Sequence, residues 1–189
     1  MKNLIGTEFR EVEYYQQLGF IRSIKRSAKM HGYFGFWKTV LFFWIKSIDN
    51  LYSLLAYFNP YNGMRLSLQR KRGVKIGNGV LIGLHCVLDN VFPDFITLED
   101  NVCLAGKVYI LTHSNPPIHF KGNLPSYAAP VIIKKNAWIT VNVTILPGVT
   151  IGEGSVITAG SVVKQDIPPT VIASGHPAEV IFKFKNKDK

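Results

Sequence analysis

Aliphatic residues return at every sixth position through the second half of this chain. They stand at Ile76, Ile82 and Leu88, again at Leu98, Leu104 and Ile110, and then unbroken at Ile133, Ile139, Ile145, Ile151, Ile157 and Val163. Four places after most of them comes a small or β-branched residue, such as Val80, Cys86, Val102, Val143, Ser155 or Ser161. A period of six is neither the turn of an α-helix nor the alternation of a plain strand. It predicts short strand-turn units wound into a parallel β-helix, with one aliphatic side chain per unit pointing inward and a small one in each corner. Gly77, Gly148, Gly152, Gly154 and Gly160 fall in the turns, where a positive φ is often wanted. The rhythm breaks twice. The spacing is ten from Leu88 to Leu98, around VFPDF, and 23 from Ile110 to Ile133. Long insertions in a repeat scaffold carry function or are disordered. The larger one opens at Thr112-His113 and contains His119 and Tyr127.

Ahead of the repeats the period changes, and residues 12–72 read as helices. In FWKTVLFFWIKSIDNLYSLLAYF, the residues Trp37, Leu41, Trp44, Ile48, Leu51 and Leu55 follow one another at spacings of three and four, the stripe of an amphipathic helix. Pro60 and Gly63 mark a turn after it. The stripe is expected to cover an end of the β-helix or an oligomer seam, or to dock on a membrane surface. The chain therefore divides into a basic, aromatic-rich helical region over residues 1–73, a β-helix over 74–181 with an excursion over 113–130, and a short basic tail over 182–189.

Charge sharpens this division. Residues 1–73 hold 12 Lys/Arg against 4 Asp/Glu, whereas residues 74–189 hold 10 against 8. The basic character belongs to the helical region, where it is interleaved with Phe, Trp and Leu. That mixture suits an anionic membrane surface or an acidic glycan better than nucleic acid. The run over 40–58 is interrupted by Lys46, Asp49 and Asn50, which argues against a membrane span. The opening MKNLIGTEFREVEYY lacks the apolar segment of a signal peptide. Cys86 and Cys103 make no disulfide framework and read as reduced core residues. A cytoplasmic protein, peripheral to the membrane if attached at all, is the expectation.

Four segments, GVKIGNGVLIG, VFPDFITLEDNV, VYILTHS and AWITVNVTILPGVTIGEGSVITAGSVVKQDIPPTVIASGHPAEVI, together resemble the hexapeptide-repeat acetyltransferases. The resemblance is greatest to the branch that O-acetylates bacterial surface polysaccharides and related sugars. It implies a left-handed β-helix, a homotrimer, acetyl-CoA bound in grooves between subunits and a sugar or glycan acceptor, with no metal. By the same resemblance His113 matches the catalytic histidine and the Val141 amide matches an oxyanion donor. Trp138 matches an aromatic near the acetyl pocket, although a packing role is open to it. Ala159, Gly160 and Lys164 match the segment that pairs with pantetheine. Lys183 and Lys185 are within reach of coenzyme phosphates. Thr140 stands where the family commonly has glycine.

The chemistry asks for such a histidine. A neutral sugar hydroxyl is a poor nucleophile at pH 7, and an imidazole can take its proton and return it to the leaving thiolate. The expected reaction is direct attack in a ternary complex, since no serine or cysteine stands in a nucleophile signature. On the acceptor side the candidates are His85, Asp89, Asn90 and Tyr127, with Asp89 alternatively orienting the imidazole. The position where related small-sugar enzymes carry an asparagine is Gly83. Two other functions stay open. His85, His113 and His119 supply enough histidines for a zinc site like that of γ-class carbonic anhydrases, although their spacing differs. A non-catalytic scaffold is the other, because Thr140, Thr158 and His176 depart from common family letters.

Overall fold

The computed structural model describes residues 10–16 and 19–184. The six-residue units form three stacked faces of a triangular coil. The first face pairs Lys75–Ile76, Ile96–Leu98, Val131–Ile133 and Thr150–Ile151. The second pairs Leu81–Ile82, Cys103–Leu104, Trp138–Ile139, Val156–Ile157 and Val171–Gly175, and the third pairs Val87–Leu88, Tyr109–Ile110, Thr144–Ile145 and Val162–Val163. All these pairings are parallel, and their register stacks like on like: Ile76, Leu98, Ile133 and Ile151 make one interior column. Ala178–Lys183 then turns back antiparallel on Val171–Gly175 and ends the coil.

The inward positions are those the period marks. From Ile82 to Val163 every aliphatic of the series is buried, and the corner residues Val80, Cys86, Val102, Val143, Ser155 and Ser161 are buried with them. Each full burial of an Ile or Leu contributes about 1.5–3 kcal/mol, so the stack of side chains is itself the core. The turns use more than one device. Gly160 has φ of +74°, as a left-handed turn requires, and Asn101, Asn136 and Asn142 take the same conformation at other corners. Gly152 has no such φ; a Cβ there would lie 2.5 Å from the Pro168 carbonyl carbon, so close backbone approach selects glycine instead.

Among the described residues three helices precede the coil: α1 (Phe20–Met30), α2 (Phe36–Phe58) and α3 (Asn62–Lys71). It is α3 that closes the open end. Asn62 accepts from the Ile82 amide and donates to the Val80 carbonyl, Arg65 donates to the Ile82 carbonyl at 2.6 Å, and Leu66 packs on the core. Gly63, expected in a turn, lies in the first turn of this helix. Residues 12–16, expected to be helical, carry no helix, and Tyr15 bridges Pro117 instead. Just before them Arg10–Glu11 pairs antiparallel with Tyr127–Ala128, which pairs in turn with His113–Ser114. The excursion is thus a three-stranded flap. The N-terminal segment supplies its outer strand.

Candidate functional site

Asp89 and His113 occupy the same edge of the prism, one coil apart. Each follows a strand of the third face, Asp89 after Val87–Leu88 and His113 after Tyr109–Ile110, and these two strands are paired. Stacking therefore brings together residues 24 apart in sequence. His113 Nδ1 lies 2.6 Å from Asp89 Oδ2. The carboxylate is buried, and backbone amides complete its coordination: Thr112 donates to Oδ2 at 2.8 Å, Val91 to Oδ1 at 2.7 Å and Phe92 to Oδ1 at 3.2 Å. Burial alone would raise its pKa. The hydrogen bond and charge of His113, with the Thr112 and Val91 amides, outweigh burial and lower it to about 2.

This fixes the tautomer. A carboxylate ionised at neutral pH only accepts, so the proton of a neutral His113 imidazole sits on Nδ1 and Nε2 keeps its lone pair. Phe92 meets the ring edge-on at 6.1 Å and limits its rotation. The half-exposed ring borders a cleft of about 210 Å³. A base held by a buried carboxylate beside a cleft is the arrangement needed to deprotonate a bound hydroxyl.

The cleft has a wall that sequence reasoning missed. Tyr15, Gln16, Ser23, Arg26 and Ser27, from the N-terminal segment and α1, face Asn115 and His113 across it. The segment is sewn to the excursion by backbone bonds, Tyr15 N to Pro116 O at 2.9 Å and Ile118 N to Tyr15 O at 2.8 Å, and by Tyr14 Oη to Leu124 O at 2.6 Å. Arg26 pairs with Glu13 at 2.9 Å, and the Arg10 guanidinium lies over Phe92. The available signal was slight: Val12 and Tyr14 alternate with Glu11 and Glu13, and in the fold the first pair is half-buried while the second is exposed.

The acceptor-side candidates divide. Tyr127 is in the flap, its backbone opposite Ser114, half-buried with its phenol pKa raised by burial. Asp89 is under the imidazole with both oxygens engaged, so it holds His113 and is not open to an acceptor. Asn90 Oδ1 accepts from Arg72 Nη2 and Ser53 Oγ, which turns it toward the helices. His85 is a corner residue with φ of +59°, packed 4.9 Å from Tyr57 on a different edge. At Gly83 an added Cβ would lie 1.0 Å from the Ala105 carbonyl oxygen, so this backbone has no room for the asparagine of related enzymes.

The coenzyme candidates divide, and most of them lie on or beside another edge. Val141 and the pair Ala159-Gly160 are the corners after Trp138–Ile139 and Val156–Ile157, one above the other, joined by Gly160 N to Val141 O at 3.1 Å. Among the described residues the Val141 amide donates to no group, which leaves it available to an oxyanion. Trp138 is 50% exposed on the adjoining face between Cys103 and Val156. Thr140 Oγ1 donates to Ile157 O at 2.7 Å, which turns its hydroxyl into the coil. Lys164 is exposed on the His113 edge two coils away, and Lys183 is exposed on the closing strand. Lys185 lies outside the described residues. The prism thus carries His113 on one edge and the Val141 amide on another.

Within one chain the three histidines of the zinc reading do not converge. His85 packs on Tyr57, His113 bonds Asp89, and exposed His119 lies against Phe120. No group of three or more His, Cys, Asp or Glu among the described residues is placed to hold a metal ion. Burial raises the pKa of both Cys86 and Cys103, which disfavours thiolate chemistry.

Comparison with known proteins gives a consistent picture. Residues 130–165 match the model of the bacterial transferase hexapeptide repeat (six repeats). Over 95 residues the chain is 44% identical to galactoside O-acetyltransferase of Escherichia coli, covering 50% of this chain and 47% of that protein. The chain spans about half the length of the curated relatives it matches. Among solved structures, a hexapeptide-repeat acetyltransferase of Vibrio cholerae complexed with acetyl-CoA superposes with a TM-score of 0.64 at 26% identity, over 77% of this chain and 90% of that one. A maltose O-acetyltransferase from Clostridium difficile superposes with a TM-score of 0.61 at 29% identity, over 76% and 86%. The fold they share with this chain is the left-handed β-helix.

Proposed function

We propose that this chain, which is similar in sequence and fold to the hexapeptide-repeat acetyltransferases, moves the acetyl group of acetyl-CoA to a sugar hydroxyl, in a bacterial surface polysaccharide or its precursor. The observation that carries the reading is the Asp89–His113 pair at the cleft. The acceptor hydroxyl enters the cleft and gives its proton to His113 Nε2 as its oxygen attacks the thioester carbonyl. Negative charge develops on the carbonyl oxygen and is met by the Val141 amide. Collapse breaks the carbon–sulfur bond, and the proton on Nε2 passes to the leaving thiolate. Through all of this Asp89 remains ionised and steadies the imidazolium.

Base and amide lie on different edges of one prism, so the reaction joins them across two subunits, which favours a homotrimer with three shared grooves. The coenzyme arm lies along Ala159-Gly160 and beside Trp138. Arg10, whose guanidinium lies over Phe92 of the cleft, favours an acidic or phosphate-bearing glycan, and Asn115 lines the cleft with Tyr127 behind it in the flap. The setting is the cytoplasm, at or near the inner membrane surface.

A screen of acetyl-CoA against free, nucleotide-linked and lipid-linked sugars tests this, with acetyl-CoA thermal stabilisation measured alongside. Stabilisation with transfer to at least one sugar is expected, since a bound ligand stabilises by mass action. Neither stabilisation nor transfer would make the β-helix a scaffold.

A further inference from the structure

Helix α2 presents the wrong face to water. Its inner positions Phe42, Lys46, Asp49, Ser53 and Ala56 run at spacings of three and four and are partly or fully buried. The polar members are tied to the body of the protein: Lys46 Nζ donates to Val91 O at 3.0 Å, Asp49 pairs with Arg72 at 3.1 Å, and Ser53 Oγ donates to Asn90 Oδ1 at 2.9 Å. The outer positions Trp37, Leu41, Trp44, Ile48, Leu51 and Leu55 are each between 47% and 79% exposed. The amphipathic stripe of the sequence therefore faces outward along the length of the helix. An apolar surface of this extent marks a contact site.

The patch extends onto α1 and is edged with positive charge. Phe20 meets Phe43 edge-on at 6.2 Å, and Phe36 meets Trp37 at 5.3 Å. Lys25 and Lys29 share a shallow hollow with Phe34 and Phe36, and Lys38 is exposed beside Trp37. Over residues 20–58 the sole acid is Asp49, which is turned inward.

We infer that the outer face of α2 docks on an anionic lipid bilayer, lying in the headgroup plane with Lys25, Lys29 and Lys38 against lipid phosphates. Charge selects this occupant. A second copy of the same face would bring like lysines together with no acid to meet them, whereas lipid phosphates complement them. No helix among the described residues is long and apolar enough to cross a membrane, and the inner face of α2 is bonded to the β-helix, so the helix lies on the bilayer. Helix α1 contributes Phe20 to the patch and Ser23, Arg26 and Ser27 to the cleft at His113. Docking thus sets the cleft beside the bilayer, where it meets a glycan carried on a lipid. That last step rests on the acetyl-transfer reading; the docking does not.

Flotation of the full chain with vesicles of phosphatidylglycerol and phosphatidylcholine, and of phosphatidylcholine alone, tests the docking. The chain is expected to float with the anionic vesicles, less as salt rises. The variant Trp37→Ser/Trp44→Ser/Leu51→Ser is expected to lose roughly tenfold or more of that binding while transferring acetyl to a soluble sugar as well as the parent does. Lys25→Glu/Lys29→Glu leaves the apolar face intact and is expected to weaken flotation on anionic vesicles alone. A parent chain that stays unbound at low salt, or a triple variant that floats equally well, overturns the proposal. So does a parent assembly that the triple variant dissociates in sedimentation equilibrium without lipid binding by the parent, which would make the face a contact between copies.

Discussion

At the scale of residues the account rests on one short hydrogen bond, His113 Nδ1 to Asp89 Oδ2 at 2.6 Å. Asp89→Asn keeps the shape but replaces an obligate acceptor with a group that can donate, which favours the imidazole tautomer with its proton on Nε2. Turnover should fall by about 10²–10⁴-fold with little change in acetyl-CoA binding, measurable by steady-state kinetics beside a thermal shift. The same carboxylate shapes acid stability. Its folded pKa is about 2 against an ordinary 3.8, so the ionised form stabilises the fold above pH 4, and the contribution disappears as pH falls from about 4 to 2. It amounts to about 2 kcal/mol, and urea midpoints taken across that range should fall less in Asp89→Asn than in the parent. His113 was legible because the aliphatic rhythm stops there. Its partnership with Asp89 was open in the sequence, where the two are 24 apart, and needed the stacking of two coils to decide it.

At the scale of elements the hexad period proved a faithful guide to the coil, since inward aliphatic positions from Ile82 onward are buried. It carries no information on helices. The α2 stripe specifies an amphipathic helix but not which way its faces turn, and that is decided by Arg72. Its buried guanidinium bonds Asp49 of α2, Gln69 of α3 at 2.6 Å and the Asp89 carbonyl at 2.8 Å, drawing the polar face of α2 inward. Arg72→Met should destabilise the fold by about 3–5 kcal/mol, because it leaves Asp49 buried beside only the more distant Lys46 at 3.6 Å. Chemical denaturation reads this directly. The strand at Arg10–Glu11 escaped sequence reading for a different reason: two residues define no period, and its partner at Tyr127–Ala128 is more than a hundred positions away.

At the scale of the whole molecule, His113 and Val141 lie on separate edges, and the proposed reaction therefore needs two subunits of a homotrimer. His113→Ala and Val141→Pro remove the proposed base and amide, and each variant alone should lose most of its activity. Unfolded together and refolded as mixed trimers, they should regain a share of parent activity through grooves that take an intact His113 from one subunit and an intact Val141 from the next. A site complete within one chain would regain none. The central claim, that this molecule transfers acetyl groups with His113 as base, is tested most directly by kcat for acetyl transfer in His113→Ala. The account predicts a fall of about 10²–10⁴-fold with acetyl-CoA stabilisation retained; turnover near that of the parent would contradict it.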